Sequence, residues 1–223
     1  FKLSINNTDG QLVYAENFEF WSGIWEIDNG VWAVGEPISG PDGVHDGTSA
    51  AGTVLGGNYP YGTDSRLISP TMDLPQIAAD EELVLRFWQW FDYDSADKRC
   101  VQVQVWDGAG WSDWTNSTEN TSGNSAVWSL RDVDLSAYAG QRVRIAFYHE
   151  DNHEHSGYAD SHYEDPGWFV DDVQVLRRPV PFFAGLEDFE SGWNDWYAEN
   201  GLWEWGPPDV WPGSAHSPTS VIG

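Results

Sequence analysis

The sequence predicts an all-β chain folded as a two-sheet antiparallel β-sandwich, in the jelly-roll arrangement. Three observations carry that expectation. Apolar residues recur at period two: Leu83, Leu85 and Phe87 share one face of LVLRF, Val101, Val103 and Val105 one face of CVQVQVW, and Val143, Ile145 and Phe147 one face of QRVRIAFY. Strict alternation over such lengths belongs to half-buried antiparallel strands. The chain is also heavily punctuated, with 23 Gly and 12 Pro and with DG, GG and NG dipeptides between the alternating runs. Finally, only the acidic PQIAADEEL (75–83) has a helical composition, and it is long enough for a single turn.

Taken along the chain, the alternating runs amount to some ten strands between residues 12 and 178, the count of a sandwich or jelly roll. A domain of that size buries about 70% of its unfolded surface, so it needs no disulfide. The chain could make none internally, having one cysteine, Cys100, which begins an alternating strand and reads as a small buried hydrophobe. The 223 residues carry 36 Asp+Glu against 10 Lys+Arg, a formal net charge of −26, and are 15% aromatic. The aromatic content excludes an acidic disordered chain. No run approaches the roughly 18 apolar residues of a membrane-spanning helix. Nucleic-acid binding is disfavoured because the field has the wrong sign for phosphates. An excess of carboxylates suits divalent cations instead.

Residues 187–223 align without a gap on residues 16–52 at an offset of 171, with 14 of 37 positions identical, among them Phe18/Phe189, Glu19/Glu190, Trp25/Trp196, Trp32/Trp203, Gly35/Gly206, His45/His216 and Ser49/Ser220. Self-similarity at a fixed period marks a repeat. The expected organisation is therefore a complete domain over 12–178, a linker and the start of a second copy over 179–223, and a terminal strand over 1–11. FKLSI in that strand resembles the continuation of DDVQVL (171–176) and so the end of a preceding copy. The chain reads as a window on a tandem array, with the segment RRPVPFF (177–183) stiffened by proline. The other reading is a single domain with an extra N-terminal strand and a truncated neighbour.

ENFE (16–19), HDGTSA (45–50), SRLISPTMDL (65–73), LRFWQWFD (85–92), WDGAGW (106–111), VDLSAYAGQRVRIAFY (133–148) and GWFVDDVQV (167–175) follow one another in that order. The order resembles that of MAM-like jelly-roll modules of secreted bacterial and archaeal proteins, such as those in immune inhibitor A-type metallopeptidases. The resemblance covers 12–178. The chain departs from it in a His/Asp-rich insert (149–166) and in lacking the disulfides of animal MAM domains. The resemblance implies a non-catalytic extracellular module for adhesion, ligand binding or spacing. It also implies a structural calcium ion where the Glu of the first strand meets the Asp pair of the last, nominating Glu19, Asp171 and Asp172, with Asp46 or nearby carbonyls completing the shell. Neighbouring Asp residues on a strand point to opposite faces, so both reach one site only if a bulge re-aims one of them. The competing reading is one solvated Asp and one that bonds a strand end.

Asp92, Asp94 and Asp97 form a second oxygen-rich cluster, a minor calcium candidate without the Gly and distal Glu of an EF-hand loop. HEDNH (149–153) matches H-E-x-x-H, but zinc-peptidase chemistry needs both His on one helical turn, and here His149 ends a strand. Its loop gathers His153, His155, Asp160, His162, Glu164 and Asp165, which could bind metal or simply be solvated. No arrangement for nucleophilic catalysis stands out. Trp88 and Trp90 lie on the face opposite Leu85 and Phe87, where an exposed aromatic row would stack on sugar rings; the alternative puts them in the core. Trp25, Trp32, Trp106, Trp128 and Trp168 are expected in the core or between sheets. Asn6, Asn116 and Asn120 head N-x-S/T triplets and are candidate glycosylation sites. The expected function is a calcium-stabilised structural or adhesive repeat of a surface stalk, adhesin or filament. Its partners would be neighbouring repeats or identical subunits, with glycans as a further possibility. The alternative is a carbohydrate-binding accessory module of a secreted hydrolase or peptidase.

Overall fold

A computed structural model describes residues 10–151, 165–181, 189–192, 203, 205–208 and 221–222. Among them run β1 (Gln11–Glu16), β2 (Glu26–Asp28), β3 (Ala33–Gly35), β4 (Ala50–Gly52), β5 (Asp64–Ile68), β6 (Met72–Asp73), β7 (Glu81–Tyr93), β8 (Lys98–Val105), β9 (Thr115–Asn116), β10 (Gly123–Asn124), β11 (Ser129–Asp134), β12 (Arg142–Glu150), β13 (Gly167–Pro179), β14 (Trp205–Gly206) and β15 (Val221–Ile222). In the first sheet β13 lies between β7 on one side and β1 and β4 on the other, with β10 and β11 outside β7 and β3 outside β4. In the second, β12 lies between β8 and the pair β5 and β6, with β9 and β2 at the edges. Every pairing is antiparallel.

The alternating runs are the sandwich filling. Leu83, Leu85 and Phe87 from β7, Val101 and Val103 from β8, and Val143, Ile145 and Phe147 from β12 are each no more than 1% exposed. Burying a side chain of this kind contributes about 1.5–3 kcal/mol. Trp25, Trp32 and Trp168 join this core, with Trp25 stacked on Phe147 and the Trp168 ring edge-on to the same phenylalanine. Trp106 and Trp128 do not: both are half-buried, Trp106 against Trp111 and Trp128 over the outside of the first sheet. Cys100 is buried and free, and burial pushes its thiol up to about 12.

The expected helical turn at 75–83 is absent. Glu81 and Leu83 are drawn into β7, and what precedes them is a tight turn closed by Glu81 N–H on the Ala78 carbonyl and Ala78 N–H on the Glu81 carboxylate. The single 3₁₀ turn among the described residues is instead Ser136–Tyr138, between β11 and β12.

Two features of the first segment recur 171 residues on, although Trp203 is 57% exposed where the aligned Trp32 is 4%. β3 pairs with β4 through Val34↔Ala51 and Gly35↔Ala50; β14 pairs with β15 through Trp205↔Ile222 and Gly206↔Val221, the same register at an offset of 171. Phe18 and Phe189, also 171 apart, both take a left-handed backbone, φ 58° and 56°. A bulky residue tolerates that conformation only where its surroundings impose it.

Candidate functional site

Asp171 and Asp172 sit where β13 loses register with β7: Asp171 faces Trp88, but the next ladder pair is Gln174 with Arg86. Asp172 absorbs the irregularity with φ 47°, an αL residue of the kind that Asp tolerates better than most. The bulge turns both carboxylates to the outer face of the first sheet, beneath the loop that carries His45. Asp171 is fully buried there. One of its carboxylate oxygens accepts the backbone N–H of His45 (3.2 Å) and of Asp46 (3.3 Å), and the other accepts the N–H of Asp172 (2.8 Å). Burial first, and the Asp172 charge second, push the Asp171 carboxyl up to about 7, against those three hydrogen bonds. Asp172 Oδ2 lies 2.8 Å from His45 Nδ1. A ligand atom from each of His45, Asp171 and Asp172 lies within 4.8 Å of the others, a three-point cluster able to hold a metal ion.

His45 is fixed from above and below. Its ring stacks on Trp88 with centroids 3.8 Å apart and planes 15° from parallel, and Trp128 meets it edge-on while donating its indole N–H to the Gly43 carbonyl. The same loop is anchored a turn later by Glu19, whose carboxylate accepts Thr48 N–H (2.7 Å), Thr48 Oγ1 (2.8 Å) and Ser49 N–H (2.8 Å). Those bonds hold the Glu19 carboxyl below its ordinary range. Gly47, at φ +74°, is the residue this approach requires, because a Cβ there would collide with the Glu19 carboxylate.

The four nominated carboxylates therefore do not converge on one point. Asp171 and Asp172 come together with His45, which the sequence reading left out, while Glu19 and Asp46 stay outside that cluster. His45 has a sequence signal after all, since it is one of the positions shared with the second copy. Asp92, Asp94 and Asp97 separate into three duties. Asp92 is half-buried in β7 and its carboxyl is pushed up by burial. Asp94 accepts Ala96 N–H at a turn, and the buried Asp97 accepts a hydrogen bond from Tyr59 Oη.

Trp88 and Trp90 lie on the outer face of β7, as the alternation requires, but neither presents a bare ring. His45 covers a face of Trp88, and Trp90 packs against the edge of Phe169 (5.7 Å). His149 points the other way, into the sandwich, fully buried between Tyr93 Oη (2.7 Å from Nδ1) and Thr63 Oγ1 (3.3 Å from Nε2); burial pulls its pKa down to about 4. With both ring nitrogens engaged inside the fold and Glu150 next to it on a strand, His149 does not have the geometry of a helical H-E-x-x-H ligand. Residues 152–164, and with them His153, His155, Asp160, His162 and Glu164, lie outside the described residues, as does Asn6. Asn116 and Asn120 are both exposed, and the Asn116 amide donates to Asn120 Oδ1 (3.0 Å).

No protein-family model matches the chain. Over 173 residues it is 28% identical to bacillopeptidase F of Bacillus subtilis (strain 168), an alignment covering 74% of the chain and 11% of that protein. The chain thus spans about a tenth of the length of the curated relative it matches. Among solved structures it is similar to the CBM22-1 xylan-binding domain of Paenibacillus barcinonensis Xyn10C (TM-score 0.47, 13% identity, 78% of this chain and 98% of that one). It is also similar to the K1 cleaved adhesin domain of Lys-gingipain from Porphyromonas gingivalis W83 (TM-score 0.45, 21% identity, 75% of this chain and 98% of that one).

Proposed function

We propose that the chain is a non-catalytic extracellular module, one unit of a tandem array in a surface stalk, adhesin or filament, stabilised by a divalent cation. What supports the array is the recurrence of the β3–β4 bridge as β14–β15 in unchanged register 171 residues on. A unit that recurs without its own catalytic constellation suits spacing and adhesion.

The cation would sit at Asp171 and Asp172, two adjacent carboxylates against which no Lys or Arg is placed among the described residues. Calcium takes six to eight oxygens, so these two would need loop carbonyls and water, and His45 would keep Asp172 as an outer partner. A softer ion such as zinc would take the His45 nitrogen directly. Thermal unfolding after EGTA treatment, then with added calcium or zinc, decides. At a hundredfold excess over Kd, the ion that fits stabilises by about 2.7 kcal/mol, a rise in Tm of several degrees. A protein indifferent to both ions sinks the cation. Electron microscopy of the native material with and without chelator tests the array: fibres that fray on chelation support it, and separate particles unchanged by chelator count against it.

The second reading, a carbohydrate-binding accessory module of a secreted hydrolase or peptidase, is supported by the likeness to a small part of a peptidase.

A further inference from the structure

We propose that the cleft opening at the edge of the sandwich between β7 and β8 binds a carboxylate-bearing sugar, a uronic acid residue, on the guanidinium of Arg99. This site is separate from the cation cluster and from Trp88 and Trp90, and the proposal does not depend on either.

Arg99 occupies the inward register of β8, in line with Val101 and Val103, and is 6% exposed. Its Nη1 donates to Thr121 Oγ1 (2.6 Å) and to the Thr121 carbonyl (3.2 Å), and the guanidinium lies over the Phe91 ring at 3.4 Å. Nε is buried with no hydrogen-bond partner, and among the described residues no carboxylate pairs with Arg99. Arg66, Arg86, Arg142, Arg144, Arg177 and Arg178 each pair with a carboxylate. In a chain with 36 acidic residues, a buried cation left without one is an exception that the fold has to maintain. A buried charge is costly unless paired and hydrogen-bonded. Burial, together with repulsion from Arg131, pulls the Arg99 pKa down to about 10.

Arg99 and Arg131 line one cleft of about 230 Å³, a size that admits a single pyranose ring. The only carboxylate of the lining, Glu119, is exposed at the rim. The rest alternates aromatic surface with amides and hydroxyls, Phe91 and Gln89 on the floor and Thr121 and Asn124 at the exposed mouth. A sugar ring offers the matching mixture of apolar face and hydroxyl rim, and its carboxylate offers the planar acceptor that a guanidinium fork recognises. That lining favours a uronate over an acidic peptide, whose side chain would leave the hydroxyls and amides unmatched.

The test is calorimetric titration of the intact chain with oligogalacturonate and with the neutral oligogalactose of the same length. The expected result is saturable binding of the uronate, at least roughly tenfold tighter than of the neutral sugar, lost in Arg99→Gln and unchanged in Trp90→Ala. The ¹⁵N–¹H resonance of Arg99 Nε should shift as the uronate is added. Asn124→Trp, which narrows the exposed mouth without touching the core, should abolish binding as well and serves if Arg99→Gln fails to fold. Equal binding of both sugars, no binding of either, or equal competition by oligoglutamate or inorganic phosphate would each overturn the proposal.

Discussion

At the β13 bulge, Asp171 and Asp172 lie side by side without an arginine or lysine, and in the β7–β8 cleft Arg99 and Arg131 line a common wall without a buried carboxylate. Both places hold like charges in poorly solvated surroundings, and both push the buried group toward neutrality, the Asp171 carboxyl up to about 7 and the Arg99 guanidinium down to about 10. They differ in how readily composition alone produces them. With 36 acidic residues against 10 basic ones, a carboxylate that meets no cation is the common case. An arginine that meets no carboxylate is the rare one, and here, among the described residues, even the buried Asp97 two positions away is turned to Tyr59 instead. The bulge also satisfies its own charge internally, with three backbone N–H groups on Asp171. The cleft leaves Arg99 Nε with nothing. The first place is therefore built as a loop anchor that can take an ion; the second keeps a buried donor, Arg99 Nε, that no acceptor of the fold meets.

The contrast can be broken most violently at Asp171. Asp171→Leu removes the buried acceptor of three part-buried N–H donors, so urea unfolding should register a loss of about 4 kcal/mol. Asp171→Asn keeps an acceptor and removes the desolvated charge, and it should cost far less while abolishing any response to added cation. Equal losses in the two variants would mean that the charge, not the acceptor, anchors the loop.

A buried base inside the sandwich gives the next effect. His149 has a pKa pulled down to about 4 by burial, against an ordinary 6.5, so the unfolded chain binds its proton more readily than the native one. The contribution of neutral His149 is complete above about pH 6.5 and is lost as pH falls toward 4, amounting to about 3 kcal/mol across that window. Unfolding free energies measured at half-unit steps should show that slope in the wild type and a flatter one in His149→Gln. An unchanged slope would assign the acid loss to other groups.

The core was legible because alternation is a local signal: of the nine residues read as inward from β7, β8 and β12, eight are no more than 1% exposed, and Val105, at the end of β8, is half-buried. The helical reading of 75–83 failed because composition alone cannot see that Glu81 pairs with Arg177, a contact 96 residues away that commits the segment to β7. At the bulge, the sequence supplied the Asp pair and the condition for both to reach one site. The recurrence of His45 as His216 marked that residue without placing it at the site, since only the folded chain lays the 45–49 loop over β13. Arg99 was readable by the same parity that placed Val101 and Val103, but a single charge on an apolar face draws the eye less than a row of carboxylates does. Whether that charge is paired depends on side chains far away in sequence.

The smallest expected effect separates Arg99 from an arginine that looks similar in burial. Arg86 is 9% exposed and forks onto Asp132 through Nε and Nη2, both at 2.7 Å. Arg86→Met leaves Asp132 with Arg178 alone, at 3.1 Å, and should cost about 2 kcal/mol, since removing one member of a buried pair strands the other. Arg99→Met removes two hydrogen bonds to Thr121, about 1 kcal/mol each, but it also removes a cation that burial penalises and nothing neutralises. The two changes offset, so the net cost in urea unfolding should stay under about 1 kcal/mol. A cost equal to that of Arg86→Met would show that the fold by itself satisfies Arg99, and the cleft would lose its motive for an anionic ligand. A cost near zero would leave Arg99 as a residue the chain keeps at no benefit to its own stability, which is the behaviour expected of a binding group.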